Sequence, residues 1–456
     1  MISRRIASDS ALATVVGLGV ALTRIPFLSG SVYGLDPDAA RIAAAGAAWI
    51  ETGAYVPSRL PSYPLPEAAA AAIWSLGGGP LALNTLSAVL SGFAAAALFL
   101  LLRGLGLSRN RALLGSAAAL MTPVAFGASV QSMDYIWALA PGLGALAAAV
   151  YGRPLLGGIL LGLAMAARLT TVVFAVPALL LLPERSVRNL LRASSATLVV
   201  AFVAYALPLQ NFGLNLFWFD DASVPFRLAF QRATLDVWGP LGLIALGVGG
   251  VCLLVIPRRR PLWHRHDVGA LAAGLALVLV SYLRLPLEGG YLLPAVPLVV
   301  GIFAVLLRRV PFAGVCGLLI ASPFLFDLES VDVVPPRMHV LAAGPGPIRL
   351  LAEGPVTVDR ARMHLRARTS THILETADQL GAGTGLNVGT SLPEAVMAGW
   401  RRPEKAPEAW LLLDGFPLRP YPGRTADEVL MLSLNRPLPR HIVEYRRTEA
   451  EEHERP

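Results

Sequence analysis

Histidine is missing from the first half of this 456-residue chain: all seven histidines lie at position 264 or later. Cysteine occurs only twice, as Cys252 and Cys316, inside apolar runs and without C-x-x-C spacing. That pattern excludes a His-rich metal box within the apolar part. It reads the cysteines as small buried residues rather than a disulfide or zinc pair. Charge is scarce too, at 15% of residues against 55% hydrophobic, which excludes an ordinary soluble enzyme. The net charge of +8 does not call for nucleic acid, because arginines between apolar runs are what membrane topology requires. No dinucleotide fingerprint, P-loop or internal repeat is visible.

What the chain has in quantity is long apolar runs, and a membrane helix needs about 20 such residues. Helices are expected near 9–28, 80–102, 111–129, 133–150, 154–168, 171–183, 193–210, 237–256, 267–284, 290–307 and 311–326. The basic connectors are MISRR, RGLGLSRNR (103–111), YGRP (151–154), PERSVRNLLR (183–192), PRRRPLWHRH (257–266) and RR (308–309). They fall at the start and then after every second run. This is the positive-inside pattern of about 11 transmembrane helices, with the N-terminus in the cytoplasm and the C-terminus outside. The runs at 154–168 and 171–183 are short for a full crossing, which leaves a re-entrant pair as an alternative. The first run follows Arg4 and Arg5 as a signal peptide would, but Arg24 interrupts it and no small-x-small cleavage site follows, so it reads as an uncleaved helix.

The fold expected is therefore mainly α: a polytopic membrane domain over 1–326, followed by an extracytoplasmic soluble domain over 327–456. Residues 29–79 and 211–236 are expected outside as well. The tail carries helix-like RTSTHILETADQLG and strand-like AWLLLDG and HIVEYRR between Pro- and Gly-rich turns, as a small α/β or α+β domain would. Its last residues, TEAEEHERP, read as a disordered end.

The first outer loop opens with GLDPDAARIAAAGAAWIETG (34–53). Asp36 stands at an N-cap, Pro37 at N1, Asp38 in the first turn and Gly53 at the stop. Capping accounts for Asp36, and a favourable helix dipole is the plain reading of Asp38. With the cap already supplied, a second acid at the membrane boundary adds little stability, which points Asp38 toward chemistry. YVPSRLPSYPLPEAAAAAIWSLGG follows, a proline-stiffened turn leading into another short apolar helix.

That order resembles the GT-C superfamily of integral membrane glycosyltransferases, which includes protein O-mannosyltransferases, aminoarabinose transferases and the catalytic subunits of oligosaccharyltransferase. The likeness rests on the acid of DAARIA at the start of a juxtamembrane helix, then PSRLPSYPL and a second short helix. SMDYIWAL (132–139), LLGGILLGLAMAARLTT (155–171) and LPLEGGYLLPAVPLVV (285–300) add to it. It covers roughly the first three hundred residues and not the tail. Gly290 departs from it, standing where the family carries a basic residue before the YLLP segment.

The resemblance implies transfer of a sugar from a polyprenyl-phosphate carrier to a glycan, lipid or protein acceptor, at the outer face of the inner or plasma membrane. The donor's phosphate is already the leaving group, so no nucleotide fold is required. The acceptor needs a carboxylate to take its proton, or a divalent cation (Mg or Mn) held by one. Asp38 aligns with the family's loop acid and Asp36 is second. Asp134 is a further candidate acid, with N-capping of its helix as the plain alternative. The departing phosphate calls for guanidinium groups, for which Arg168, Arg59 and Arg284 stand at expected outer positions. Tyr63, Glu288 and Tyr291 are expected to line the cavity, Tyr291 equally suiting an interfacial belt. Arg24 reads as an arginine snorkelling to the headgroups. The competing reading is a lipid or solute transporter or flippase with an extracytoplasmic binding domain, which predicts acids and bases in mid-membrane. A non-enzymatic assembly protein that uses the tail as a binding module is a third.

Overall fold

The computed structural model describes residues 2–28, positions 39, 42–43, 45–46, 49–50, 53, 55 and 57–59, then residues 61–214, 226–255, 263–286 and 288–328. Beyond these it describes 338–340, 409–413, 419–420 and 442–446. The helices are α1 (Ile2–Leu22), α2 (Pro64–Ser75), α3 (Pro80–Gly104), α4 (Arg109–Leu120), α5 (Pro123–Ala128), α6 (Asp134–Val150) and α7 (Pro154–Ala167). They continue with α8 (Ala175–Leu181), α9 (Val187–Phe212), α10 (Phe226–Val255), α11 (Trp263–Arg284), α12 (Ala295–Leu306) and α13 (Arg309–Leu325). Short 3-10 turns occupy Ile25–Phe27, Leu169–Phe174 and Gly289–Leu292. Positions described between 39 and 50 are helical, and the Gly53 amide closes on the Trp49 carbonyl at φ +69°, the left-handed stop expected there. Asp36 and Asp38 lie outside the described residues.

Proline starts many of these helices. Pro64, Pro80, Pro123 and Pro154 each occupy the first turn, where the ring fixes a helical φ and the missing N–H has no partner to lose. Pro123 also corrects an expectation. The run 111–129 is not one helix, because Thr122 before the proline is extended (φ −63°, ψ 151°) and separates α4 from α5.

Among the described residues six helices are long and apolar enough to cross a membrane: Ser8–Phe27, Leu81–Gly104, Val187–Asn211, Phe226–Val255, His266–Arg284 and Gly289–Leu306. Shorter apolar helices occupy Asp134–Val150, Pro154–Ala167, Leu169–Leu181 and Arg309–Pro323. The chain is thus a mainly α protein with the helices of a membrane protein. α6 is buried along nearly its whole length and packs between α3 and α7, while α7 also packs on α9 and α10 on α13. Small residues allow the close crossings. A Cβ on Gly17 would meet the Gly92 carbonyl of α3, and one on Gly158 the Ala193 carbonyl of α9. α10 breaks at Gly239 (φ 66°, ψ 172°), just before Pro240, and the Trp238 carbonyl at the break accepts the Ser322 hydroxyl at 2.8 Å.

Polar contacts gather at two ends of the helices. At one, Asp9 of α1 pairs with Arg103 (2.9 Å) and Arg109 (2.8 Å), and Arg111 donates to the Leu307 and Arg308 carbonyls. At the other lie the C-terminal ends of α1, α7 and α9, and the starts of α3, α6 and α12. Arg24 belongs to this end and does not reach outward to headgroups. It is fully buried, donating to Ser129 Oγ (2.8 Å), Thr23 Oγ1 (2.7 Å), Met121 Sδ (3.1 Å) and the Leu120 carbonyl, with Phe126 stacked at 4.1 Å. The negative C-terminal end of α4 and the ring face take the place of a carboxylate there.

Past α13 the described backbone is strand. Phe326–Leu328 pairs antiparallel with Met338–Val340, and Ala409–Leu413 pairs antiparallel with Arg419–Pro420 and Ile442–Arg446. The two strand-like segments of the tail therefore pair with each other. The helix-like segment 368–381 lies outside the described residues.

Candidate functional site

Asp134 is the first residue of α6, and extended Met133 leads into it without a side-chain cap. Its carboxylate does not cap its own helix. Oδ1 accepts Arg59 Nη2 at 2.7 Å and Oδ2 accepts Arg168 Nη1, while the side chain is wholly buried. Arg168 reaches it because the chain leaves the helix there: α7 ends at Ala167 and Arg168 is extended (φ −160°, ψ 113°). Arg59 arrives from the proline-stiffened turn before α2. Two guanidinium groups share one carboxylate, which leaves these three side chains with a net single positive charge.

Tyrosines surround that charge. Arg59 lies over the Tyr63 ring at 4.1 Å. Arg168 lies 4.4 Å from both the Tyr135 and Tyr291 rings and 5.7 Å from Tyr63. Such contacts are worth about 2 kcal/mol or more when desolvated. The Tyr135 hydroxyl donates to Glu288, which ties the 3-10 turn at 289–292 to α6. A small cavity of about 30 Å³, lined by Arg168, Tyr135, Thr170, Ser281, Gly290 and Tyr291, opens beside the guanidinium.

Gly290 has a steric reason. A Cβ there would lie 2.4 Å from the Tyr135 ring, so any side chain would push out the tyrosine that stacks on Arg168. A basic residue at 290 and this arrangement of Tyr135 exclude one another.

A second polar set lies behind the first. Glu67, in the first turn of α2, is fully buried. Its Oε1 accepts the Ser58 amide (2.7 Å) and hydroxyl (2.6 Å), and its Oε2 accepts Tyr55 Oη (2.5 Å) and Ser62 Oγ (3.2 Å). Burial pushes the Glu67 carboxyl above its ordinary range, opposed by the donors of Ser58 and Tyr55. Burial likewise pushes the Tyr55 hydroxyl up, with the neighbouring Glu67 adding to it. Tyr205 Oη, from α9, donates to the Ser62 carbonyl at 3.2 Å.

Of the residues singled out by sequence, Asp134, Arg59, Arg168, Tyr63, Glu288 and Tyr291 come together. Arg284 is exposed in the last turn of α11, outside the buried cluster. Tyr135 was missed although it sits inside SMDYIWAL, and Glu67 was missed because an acid in a first helical turn reads as a dipole partner. Among the described residues no three His, Cys, Asp or Glu side chains gather to hold a metal ion, and Asp134 is committed to two arginines. No family model, curated protein or solved structure matches the chain.

Proposed function

We propose that this chain is a membrane glycosyltransferase of the GT-C kind, which moves a sugar from a polyprenyl-phosphate carrier to a glycan, lipid or protein acceptor outside the cytoplasm. The observation that carries the reading is the Asp134-bridged pair Arg59 and Arg168, two guanidinium groups on one carboxylate walled by tyrosines at one end of the helices. In this reading the acceptor's nucleophile attacks the anomeric carbon and the bond from that carbon to the phosphate oxygen breaks. The polyprenyl phosphate departs onto Arg168 and Arg59, whose planar donors match phosphate oxygens two at a time. The acceptor's proton goes to Asp38, with Asp36 as the helix cap beside it. Tyr63, Tyr291 and Glu288 line the sugar's place, and Arg284 meets the headgroup level nearby. A phosphate exceeds the space beside Arg168, which holds about one water, so binding requires outward movement of the half-buried Tyr291. The account includes eleven crossings of the cell membrane, the cytoplasmic N-terminus and a soluble domain outside.

Reconstituted protein given a panel of polyprenyl-phosphate sugars, labelled in the lipid, tests this. Release of free polyprenyl phosphate that is abolished in Asp38→Asn supports the glycosyltransferase. Movement of intact donor between leaflets without release would instead establish a transporter.

A further inference from the structure

The loop that delivers Arg59 is held by a residue that bonds neither arginine nor Asp134. The Ser62 amide closes on the Arg59 carbonyl at 2.7 Å, a tight turn. Ser62 sits at φ +83°, the left-handed region that a serine enters only when its surroundings over-determine it. Glu67 supplies much of that determination. Its two oxygens bind Ser58 on one side of Arg59 and Ser62 on the other, and Tyr55 closes the set by meeting both Glu67 and Ser62. Between these anchors the only long polar side chain is Arg59, which is left aimed at Asp134. Tyr63, directly after Ser62, stacks on Arg59.

We propose that Glu67 is the positioning residue of the anion site: its buried carboxyl clamps Ser58 and Ser62 so that Arg59 and Tyr63 are presented to Asp134 and Arg168. The phosphate identity of the anion rests on the function proposed above, but the clamp itself does not. Glu67→Leu removes every acceptor. Glu67→Gln keeps a carbonyl for Ser58, and its amide can donate to the Tyr55 and Ser62 hydroxyls, which then turn to accept.

The test uses the full-length protein in detergent, with two readouts: amide hydrogen exchange across 58–63 without ligand, and affinity for a short-chain polyprenyl phosphate carrying no sugar. Glu67→Leu should speed exchange in that segment at least tenfold while α6 and α7 stay protected, and should weaken the probe about tenfold. Glu67→Gln should restore most of both. In an Arg59→Ala background, Glu67→Leu should weaken the probe far less, since it acts chiefly through Arg59 and only secondarily through Tyr63. Should Glu67→Leu fail to fold, Ser62→Ala removes one anchor and should show the same exchange pattern more weakly. Unchanged exchange at 58–63, or an equal loss of affinity with and without Arg59, overturns the proposal. If wild-type protein ignores the probe while exchange behaves as expected, the phosphate reading fails and the clamp stands.

Discussion

Asp134 satisfies two cations at once, and that is why neither arginine is neutralised by it alone. Removing one guanidinium would leave Asp134 in a simple ion pair with the other. Arg168 is the more deeply placed of the two, with three aromatic faces around it, and its fork fits phosphate bidentately where an ammonium offers a point charge. Arg168→Ala should therefore lower binding of a polyprenyl phosphate by more than about tenfold, and Arg168→Lys by less, consistent with ~1.5–3 kcal/mol for a charge-assisted hydrogen bond. Titration of both purified variants checks this; equal, wild-type affinity in the two would remove Arg168 from the site. At this scale the sequence was informative. Asp134 can be named because a carboxylate at a membrane boundary is costly without a partner, and Arg59, Arg168, Tyr63, Glu288 and Tyr291 because of the resemblance and their expected outer positions. Their pairing could not be read, since Arg59 and Asp134 are distant in sequence and only packing brings them together.

The element that sets the site is the turn from Tyr55 to Glu67, fastened to the first turn of α2. Its buried carboxyl gives it a pH dependence with a definite sign. Burial raises the folded-state value of Glu67, so the folded chain holds that proton more tightly than the unfolded chain. The stability linked to this proton is complete below the unfolded value, about 4.3, and is lost as pH rises through the folded value. Glu67→Gln resembles the protonated acid and lacks that loss. Thermal melts of the two proteins should diverge in favour of Glu67→Gln as pH rises above the ordinary carboxylate range of about 4.3, and parallel curves would show that Glu67 is not strained by burial. The same scale shows where sequence reading failed. The apolar run 111–129 looked continuous because hydropathy averages over Pro123, whose effect is on the backbone of Thr122. Arg24 reads as a headgroup anchor because its acceptors, the Leu120 carbonyl and Ser129, come from the ends of two helices about a hundred residues away.

For the molecule as a whole, the account needs the anion site and the tail on the same side of the membrane, outside the cytoplasm. A reporter active only outside should work when fused after residue 330 and stay silent near residue 260, as the basic connectors require; the reverse pattern would place the site in the cytoplasm. The mainly α membrane class was legible from composition and run length alone. Helix ends and the split of the charged contacts into two sets needed the packed structure, because neither proline breaks nor interhelical arginine contacts leave a periodic signal. The central claim is that the Asp134-bridged arginines receive a lipid-linked phosphate. A cryo-EM map of the full chain with bound polyprenyl phosphate tests it most directly. The account predicts phosphate oxygens within hydrogen-bond reach of Arg168, with Arg59 on the other side and Tyr291 moved outward. A phosphate seated on Arg284 alone, with Arg59 and Arg168 still closed on Asp134, would contradict it.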